Sequence, residues 1–325
     1  MKKISVIIPS NNQHSELLTV VLAICKQTVK PVEIVIVDSS KDCDKCSSEI
    51  LALCTNNEIR LIYIKVFHAY PGQARNIGVM KANSELIAFI DVQTIPVPDW
   101  LEVSLKLLLS DNIEGVWGST SFVAKNSFER LVRDGFYGST HCKTLPGTVI
   151  KSEVFKIVGQ FVNWVRAGED TEWMLRLNLM KIKFVCPSTA LIEYRGLNGI
   201  SLKILLKKWK RNYEASRNLP HFKSQKVFLW LVFYPLIILI AFNWNYLIAD
   251  WRIESIFYIG HITKMAAIIP ILGYVLIRGI ILPFKRGVCI VDLLPFRFIT
   301  ISLLCLIADI VKINAIALPK YKINR

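Results

Sequence analysis

Three acidic positions could do chemistry by their type and setting. Asp38 closes the apolar run Ile34 to Val37, Asp91 closes Leu86 to Ile90, and Glu169-Asp170 follows Ala167-Gly168 at the head of a helical stretch. A carboxylate at a strand end can accept hydrogen bonds from a base or a ribose. A second one can face a metal ion and a diphosphate, and an acidic pair at a helix start can take a proton from a hydroxyl. The run Pro71-Gly72-Gln73-Ala74-Arg75-Asn76-Ile77-Gly78 adds small residues and a cation at another helix start. Helix N-termini favour phosphate, and arginine forks onto its oxygens. Plainer readings stay open for each. Asp38 can shape a turn with Ser39 and Ser40, Asp91 can cap the turn that follows it, Arg75 can sit in a structural ion pair, and first-turn acids suit the helix dipole.

The elements that would position these residues alternate. Ile4 to Pro9, Glu33 to Asp38, Arg60 to Val66, Leu86 to Asp91 and Gly115 to Val123 read as buried strands. Between them, His14 to Thr28 carries Leu17, Leu18, Val21 and Ile24 on one helical stripe, and helices are expected over Ala74 to Ala82 and Trp100 to Leu109. Residues 39 to 48 read as a loop and 126 to 137 as a helix. After Pro146-Gly147 come a short strand at Thr148 to Ile150, a helix from Ser152 stopped by Gly159, a helix from Asp170 to Met180, and closing strands at Lys183 to Cys186 and Ala190 to Tyr194. The alternation predicts an α/β, Rossmann-like, mostly parallel sheet with helices on both faces. Ligands of such sheets bind beyond the carboxyl ends of the strands, where Asp38 and Asp91 stand.

Together these stretches resemble the family-2 glycosyltransferases of the GT-A fold, over roughly residues 4 to 200. The phrase Gly168-Glu169-Asp170-Thr171-Glu172-Trp173 is similar to the family's acceptor-site motif, and Ala74 to Gly78 is a family-specific string. The resemblance implies that Pro9, Asp38, Arg75, Asn76 and Asp91 hold a nucleotide-sugar donor carrying UDP or GDP. It implies that Asp170 is the general base of an inverting transfer, with Glu169 orienting it. It further implies a divalent cation, Mg²⁺ or Mn²⁺, at Asp91 and Gln93. Gln93 stands where the family usually has a second Asp, and its carboxamide oxygen can coordinate a metal but brings no charge. Processive synthases carry Gln-x-x-Arg-Trp in a following helix, and Lys207-Lys208-Trp209-Lys210 does not match it. A processive synthase and a non-catalytic nucleotide-binding membrane protein are the alternatives.

Composition separates the two ends of the chain. Of 325 residues 53% are hydrophobic and the net charge is +15, while mean hydropathy is +0.41. The apolar excess lies in the last hundred residues. Residues 201 to 226 hold eight Lys or Arg against the single acid Glu214. A basic block just before an apolar span suits anionic lipid, and no nucleic-acid motif accompanies the charge. Leu202 to Arg217 reads as an amphipathic interface helix, with Trp209, Lys207, Lys208 and Arg211 at the membrane surface. Membrane spans are expected at 227 to 249 and 265 to 284, with 293 to 318 either an interfacial helix on the inner surface, which is preferred, or a third span. The charge bias places a catalytic domain over residues 1 to 200 on the cytoplasmic side of the cell membrane. No secretory signal is expected, because Met1-Lys2-Lys3 runs straight into a strand-like segment. The acceptor is expected to be lipid-linked or a glycan. Cys43-x-x-Cys46 with Cys54 offers too few ligands for a zinc finger, so reduced thiols are expected.

Overall fold

A computed structural model describes residues 3–41, 46–110, 112–217, 219, 229–249 and 251–317. Strands β1 (Ile4–Ser10) and β2 (Glu33–Asp38) are buried along almost their whole length, which is why they read as unbroken apolar runs. They pair in parallel with each other and with β3 (Arg60–Lys65) and β4 (Leu86–Phe89), in the order β3-β2-β1-β4. Helices α1 (His14–Cys25), α2 (Ser48–Asn56) and α3 (Pro71–Lys81) connect them. One layer of the core gathers Ile8, Val21, Ile36 and Trp100, and the other gathers Ile7, Val37, Phe89 and Trp173 on the opposite face of the sheet.

Beyond β4 the sheet turns antiparallel. After β5 (Thr94–Pro96) and α4 (Trp100–Leu108), β6 (Gly115–Phe122) leads through α5 (Ser127–Phe136) to β7 (Cys142–Lys151), which inserts antiparallel between β4 and β6. β7 starts six residues before the expected Thr148, because Pro146-Gly147 lies inside the strand as an irregularity rather than a break. Gly147 holds φ +87 there, and a β-carbon would meet Ile192 at 2.3 Å, so only glycine fits. α6 (Val154–Val158), α7 (Glu169–Leu179), β8 (Phe184–Val185) and β9 (Ile192–Tyr194) complete the domain; β8 and β9 run parallel to β6, and β5 pairs with β9.

The C-terminal segments do not stand apart. α8 (Leu202–Ser216) packs on α5, burying Leu205 with Val132 and Leu197. Helices α9 (Leu229–Leu247) and α10 (Ile262–Val275) follow and lie against each other. α10 runs on through wider π-type turns at Leu276–Ile281 into α11 (Leu282–Lys285), ahead of α12 (Ile290–Leu293). α13 (Arg297–Ala317) returns to the first domain. Its Leu304 joins the cluster under α8, its Ile301 and Cys305 pack beside Phe136, and Arg297 ion-pairs with buried Asp134 of α5. Two helices among the described residues are long and apolar enough to cross a membrane, Ile262–Lys285 and Arg297–Ala315, buried over 6% and 44% of their apolar windows. The segment expected as a first span falls on α9, with residues 227 and 228 outside the described residues; Cys43 and Lys320 to Arg325 lie outside them too.

Candidate active site

A cleft of about 860 Å³ opens beyond the carboxyl ends of β1 and β4, roofed by the loop into α7 and by α8. Pro9, Asp91, Gln93, Glu169 and Asp170 all line it, so segments far apart in sequence share one wall.

Arg75 is the hub. It is 4% exposed, and its Nη2 donates to Asp91 Oδ1 at 2.8 Å while Nη1 donates to Glu169 Oε1 at 2.7 Å. Burial works against its charge, but Asp91, Glu169 and Asp170 outweigh that and hold the guanidinium above its ordinary pKa. Its Nε is buried without a partner among the described residues, and the Phe161 ring lies 5.8 Å away. The fork expected to reach a donor phosphate is therefore spent on two carboxylates, and the ion-pair reading of Arg75 is the one the structure shows. Burial, with Asp170 adding to it, pushes the Glu169 carboxyl up to about 7 against the pull of Arg75.

Asn76 is corrected as well. It does not line the cleft; its amide donates to the Phe161 carbonyl at 2.8 Å and accepts from the Phe161 N–H at 2.9 Å. That clamp fixes the 159–168 loop to α3. From the other side Trp173 Nε1 donates to the Gly159 carbonyl at 3.0 Å, and Arg176 donates to the carbonyls of Val158 and Gln160. The loop ends at Gly168, whose φ of +89 turns the chain into α7 in a conformation that glycine adopts without strain. Asp170 is thereby presented half-exposed at the cleft. Its Oδ1 accepts from the Thr171 N–H at 2.7 Å, and its Oδ2 has no hydrogen bond among the described residues.

Asp38 is 1% exposed and lies behind Ser39, which does line the cleft. Its Oδ1 accepts from the backbone and hydroxyl of Ser40, and its Oδ2 from Tyr63 at 2.7 Å, with Lys65 at 3.6 Å. Burial raises its pKa, yet the Ser40 and Tyr63 hydrogen bonds and the Lys65 cation prevail and hold it below the usual carboxylate value. The direct base contact expected of Asp38 is not what its geometry offers. The turn-forming reading fits: it sets the Ser39-Ser40 backbone.

Asp91 keeps Oδ2 without a hydrogen bond among the described residues, on a side chain 34% exposed. Gln93 Oε1 instead accepts from the Tyr194 hydroxyl at 3.1 Å, and that hydroxyl accepts from Lys208 Nζ at 3.2 Å. Burial, with Asp91 nearby, pushes Tyr194 up to about 12, so it remains a donor to Gln93. One hard carboxylate oxygen, completed by substrate phosphates, is a donor set that suits Mg²⁺ or Mn²⁺. Gln93 is tied elsewhere, and no cluster of three acidic, His or Cys side chains arranged for a metal occurs among the described residues.

The four residues expected at the membrane surface have these surroundings. Lys208 and Arg211 line the cleft, and Trp209 packs on Phe136 with ring centroids 4.8 Å apart; Lys207 is exposed. Sequence reasoning also passed over Tyr194, at the carboxyl end of β9, and Arg166, four residues before Asp170. Tyr194 had the same strand-end signal that singled out Asp38.

The family model described as Glycosyl transferase family 2 matches residues 5–165. An uncharacterized glycosyltransferase of Rickettsia felis is 28% identical over 178 residues, covering 52% of this chain and 29% of that one. The UDP-Glc:alpha-D-GlcNAc-diphosphoundecaprenol beta-1,3-glucosyltransferase WfgD of Escherichia coli is 26% identical over 124 residues, 38% of this chain and 48% of its own. Among solved structures, the mannosyltransferase PcManGT from Pyrobaculum calidifontis, in complex with GDP-Man and Mn²⁺, superposes with a TM-score of 0.54 at 16% identity. That match covers 96% of this chain and 87% of the other, and it shows a shared fold. The chain thus spans less than half the length of either curated relative.

Proposed function

We propose, for a chain that belongs to glycosyltransferase family 2 through its residues 5–165, that it transfers a sugar from a UDP- or GDP-sugar to an acceptor hydroxyl with inversion. Asp170 carries this reading: it lines the cleft with one oxygen free of hydrogen bonds among the described residues, while its neighbour Glu169 is locked to Arg75. Asp170 takes the proton of the acceptor hydroxyl as that oxygen bonds to the sugar's anomeric carbon. The bond from that carbon to the donor's phosphate oxygen breaks, and the nucleoside diphosphate leaves. Glu169 and Asp91 are held on one guanidinium, so the base and the leaving-group side keep a fixed separation without costly reorganisation. A divalent cation, held by Asp91 and the donor's own phosphates, would neutralise the leaving group.

A lipid-linked acceptor is supported by two observations. The name of the E. coli relative specifies a diphosphoundecaprenol acceptor, and one long apolar helix, Arg297–Ala315, packs against α8, which lines the cleft. The length and exposure of Ile262–Lys285 support membrane anchoring through it. The excess of Lys and Arg ahead of the apolar helices supports a cytoplasmic cleft. The test is a donor screen on the full chain in detergent, with UDP-glucose, UDP-N-acetylglucosamine and GDP-mannose and a prenyl-diphosphate-linked sugar, with and without Mn²⁺. Transfer from one donor with inverted anomeric configuration is expected. Nucleotide binding without transfer from any donor, under every condition, would favour the non-catalytic reading that Gln93's engagement by Tyr194 invites.

A further inference from the structure

Positive charge also lines the cleft that Asp170 lines. Arg166, on the loop into α7, and Arg211, on α8, line the cleft from different elements, and neither makes an ion pair among the described residues. Arg211 reaches only the side chain of its neighbour Asn212, at 3.4 Å. The two guanidiniums repel: burial and the charge of Arg166 both press Arg211 below its ordinary pKa. The cleft that the arginines line also has aliphatic lining. Ile200 and Ile204 line the same cleft, and Ile204 is 56% exposed. The other face of α8 rests on α13, through Leu205 and Leu304. Cations and bare aliphatic side chains side by side suit an amphiphile with a multiply charged head and a hydrocarbon tail.

The donor's diphosphate has other claims on the cleft, at the strand ends around Pro9, Ser39 and Asp91. The arginines belong instead to the wall formed by α8 and the loop into α7, beside Ile200 and Ile204 in the lining of the cleft. We infer that Arg166 and Arg211 form a subsite for the diphosphate of a prenyl-diphosphate-linked acceptor, with Ile200 and Ile204 touching the start of its lipid chain. This rests on the transferase reading, and it assigns the acceptor's charged group, not its hydroxyl, to these residues. A guanidinium pair can fork onto a diphosphate and relieve its own repulsion in doing so.

The test is calorimetric binding of farnesyl diphosphate, UDP, GDP and inorganic pyrophosphate to the full chain in detergent, for wild type, Arg166→Gln, Arg211→Gln and Arg211→Lys. Wild type should bind farnesyl diphosphate more tightly than pyrophosphate. Each Gln variant should lose about tenfold or more of that affinity, as expected for charge-assisted hydrogen bonds to phosphate. UDP affinity should change less than about twofold on the same scale, and Arg211→Lys should recover part of the loss. An unchanged thermal melting curve shows that the variants fold. Three results would overturn the subsite: farnesyl diphosphate bound no better than pyrophosphate, binding unaffected by both Gln substitutions, or UDP affinity falling in parallel, which would give the arginines to the donor. Failure of wild type to bind either UDP or GDP would count against the transferase reading itself, so the two failures are distinct.

Discussion

Arg75 joins two carboxylates that the proposed mechanism uses, and its removal would leave both behind. Taking one partner from a buried ion network typically costs about 3–5 kcal/mol. Asp91 is one-third exposed, so the lower end of that range is expected for Arg75→Met, as a fall in melting temperature followed by tryptophan fluorescence. Arg75→Lys keeps the charge but cannot fork, and should fall between. A variant as stable as wild type would show that the hub is not structural. At Asp38 the sign of the pH effect follows from its depressed folded pKa. The unfolded value is about 3.9, so ionised Asp38 stabilises the fold fully above roughly pH 5, and that contribution is lost as pH falls through the lower folded value. Thermal unfolding of Asp38→Asn should therefore show a shallower acid limb than wild type; parallel limbs would contradict the hydrogen-bond account. These roles were only half legible in the sequence. Residue type and strand-end position located Asp38, Arg75 and Asp91. What each side chain spends its hydrogen bonds on depends on Tyr63, Ser40 and Glu169, which reach it from other segments.

The loop between α6 and α7 owes its shape to neighbours rather than to its own sequence. Asn76 from one side and Trp173 and Arg176 from the other hold residues 158 to 161. Asn76→Ala would leave the N–H and carbonyl of Phe161 buried and unpaired, at about 1–3 kcal/mol for each group. It should lower both the melting temperature and the turnover number, because Asp170 follows that loop. Lowered stability with full turnover would separate the clamp from the site. Elements with strong apolar runs, β1, β2 and β4, were readable directly. β5 was not, being three residues long and defined only by pairing with β9. α2 begins where the polar stretch that reads as loop ends, and only its Ile50 and Cys54 are fully buried. α8 was readable as amphipathic, but periodicity cannot say which neighbour covers which face. Lys208 and Arg211 turned out to face the cleft, and Trp209 packs on Phe136.

At the scale of the molecule, α13 joins the C-terminal layer to the catalytic domain. Deleting residues 297–325 would uncover Val132 and Leu205 and strip Asp134 of Arg297. The shortened chain should remain in the membrane fraction through Ile262–Lys285, yet be cut faster by protease within α5 and α8 than the full chain. Equal protease resistance would mean that α13 adds nothing to the domain's stability. The whole arrangement converges on one group, the half-exposed carboxylate of Asp170 poised across Arg75 from Asp91. The most direct measurement is single-turnover sugar transfer by Asp170→Asn beside its affinity for UDP. A general base is worth about 10²–10⁴-fold in rate, so transfer should fall by that factor while UDP binding stays within about twofold. Transfer that keeps more than about a tenth of the wild-type rate would be too fast for a lost general base, and would contradict that role for Asp170.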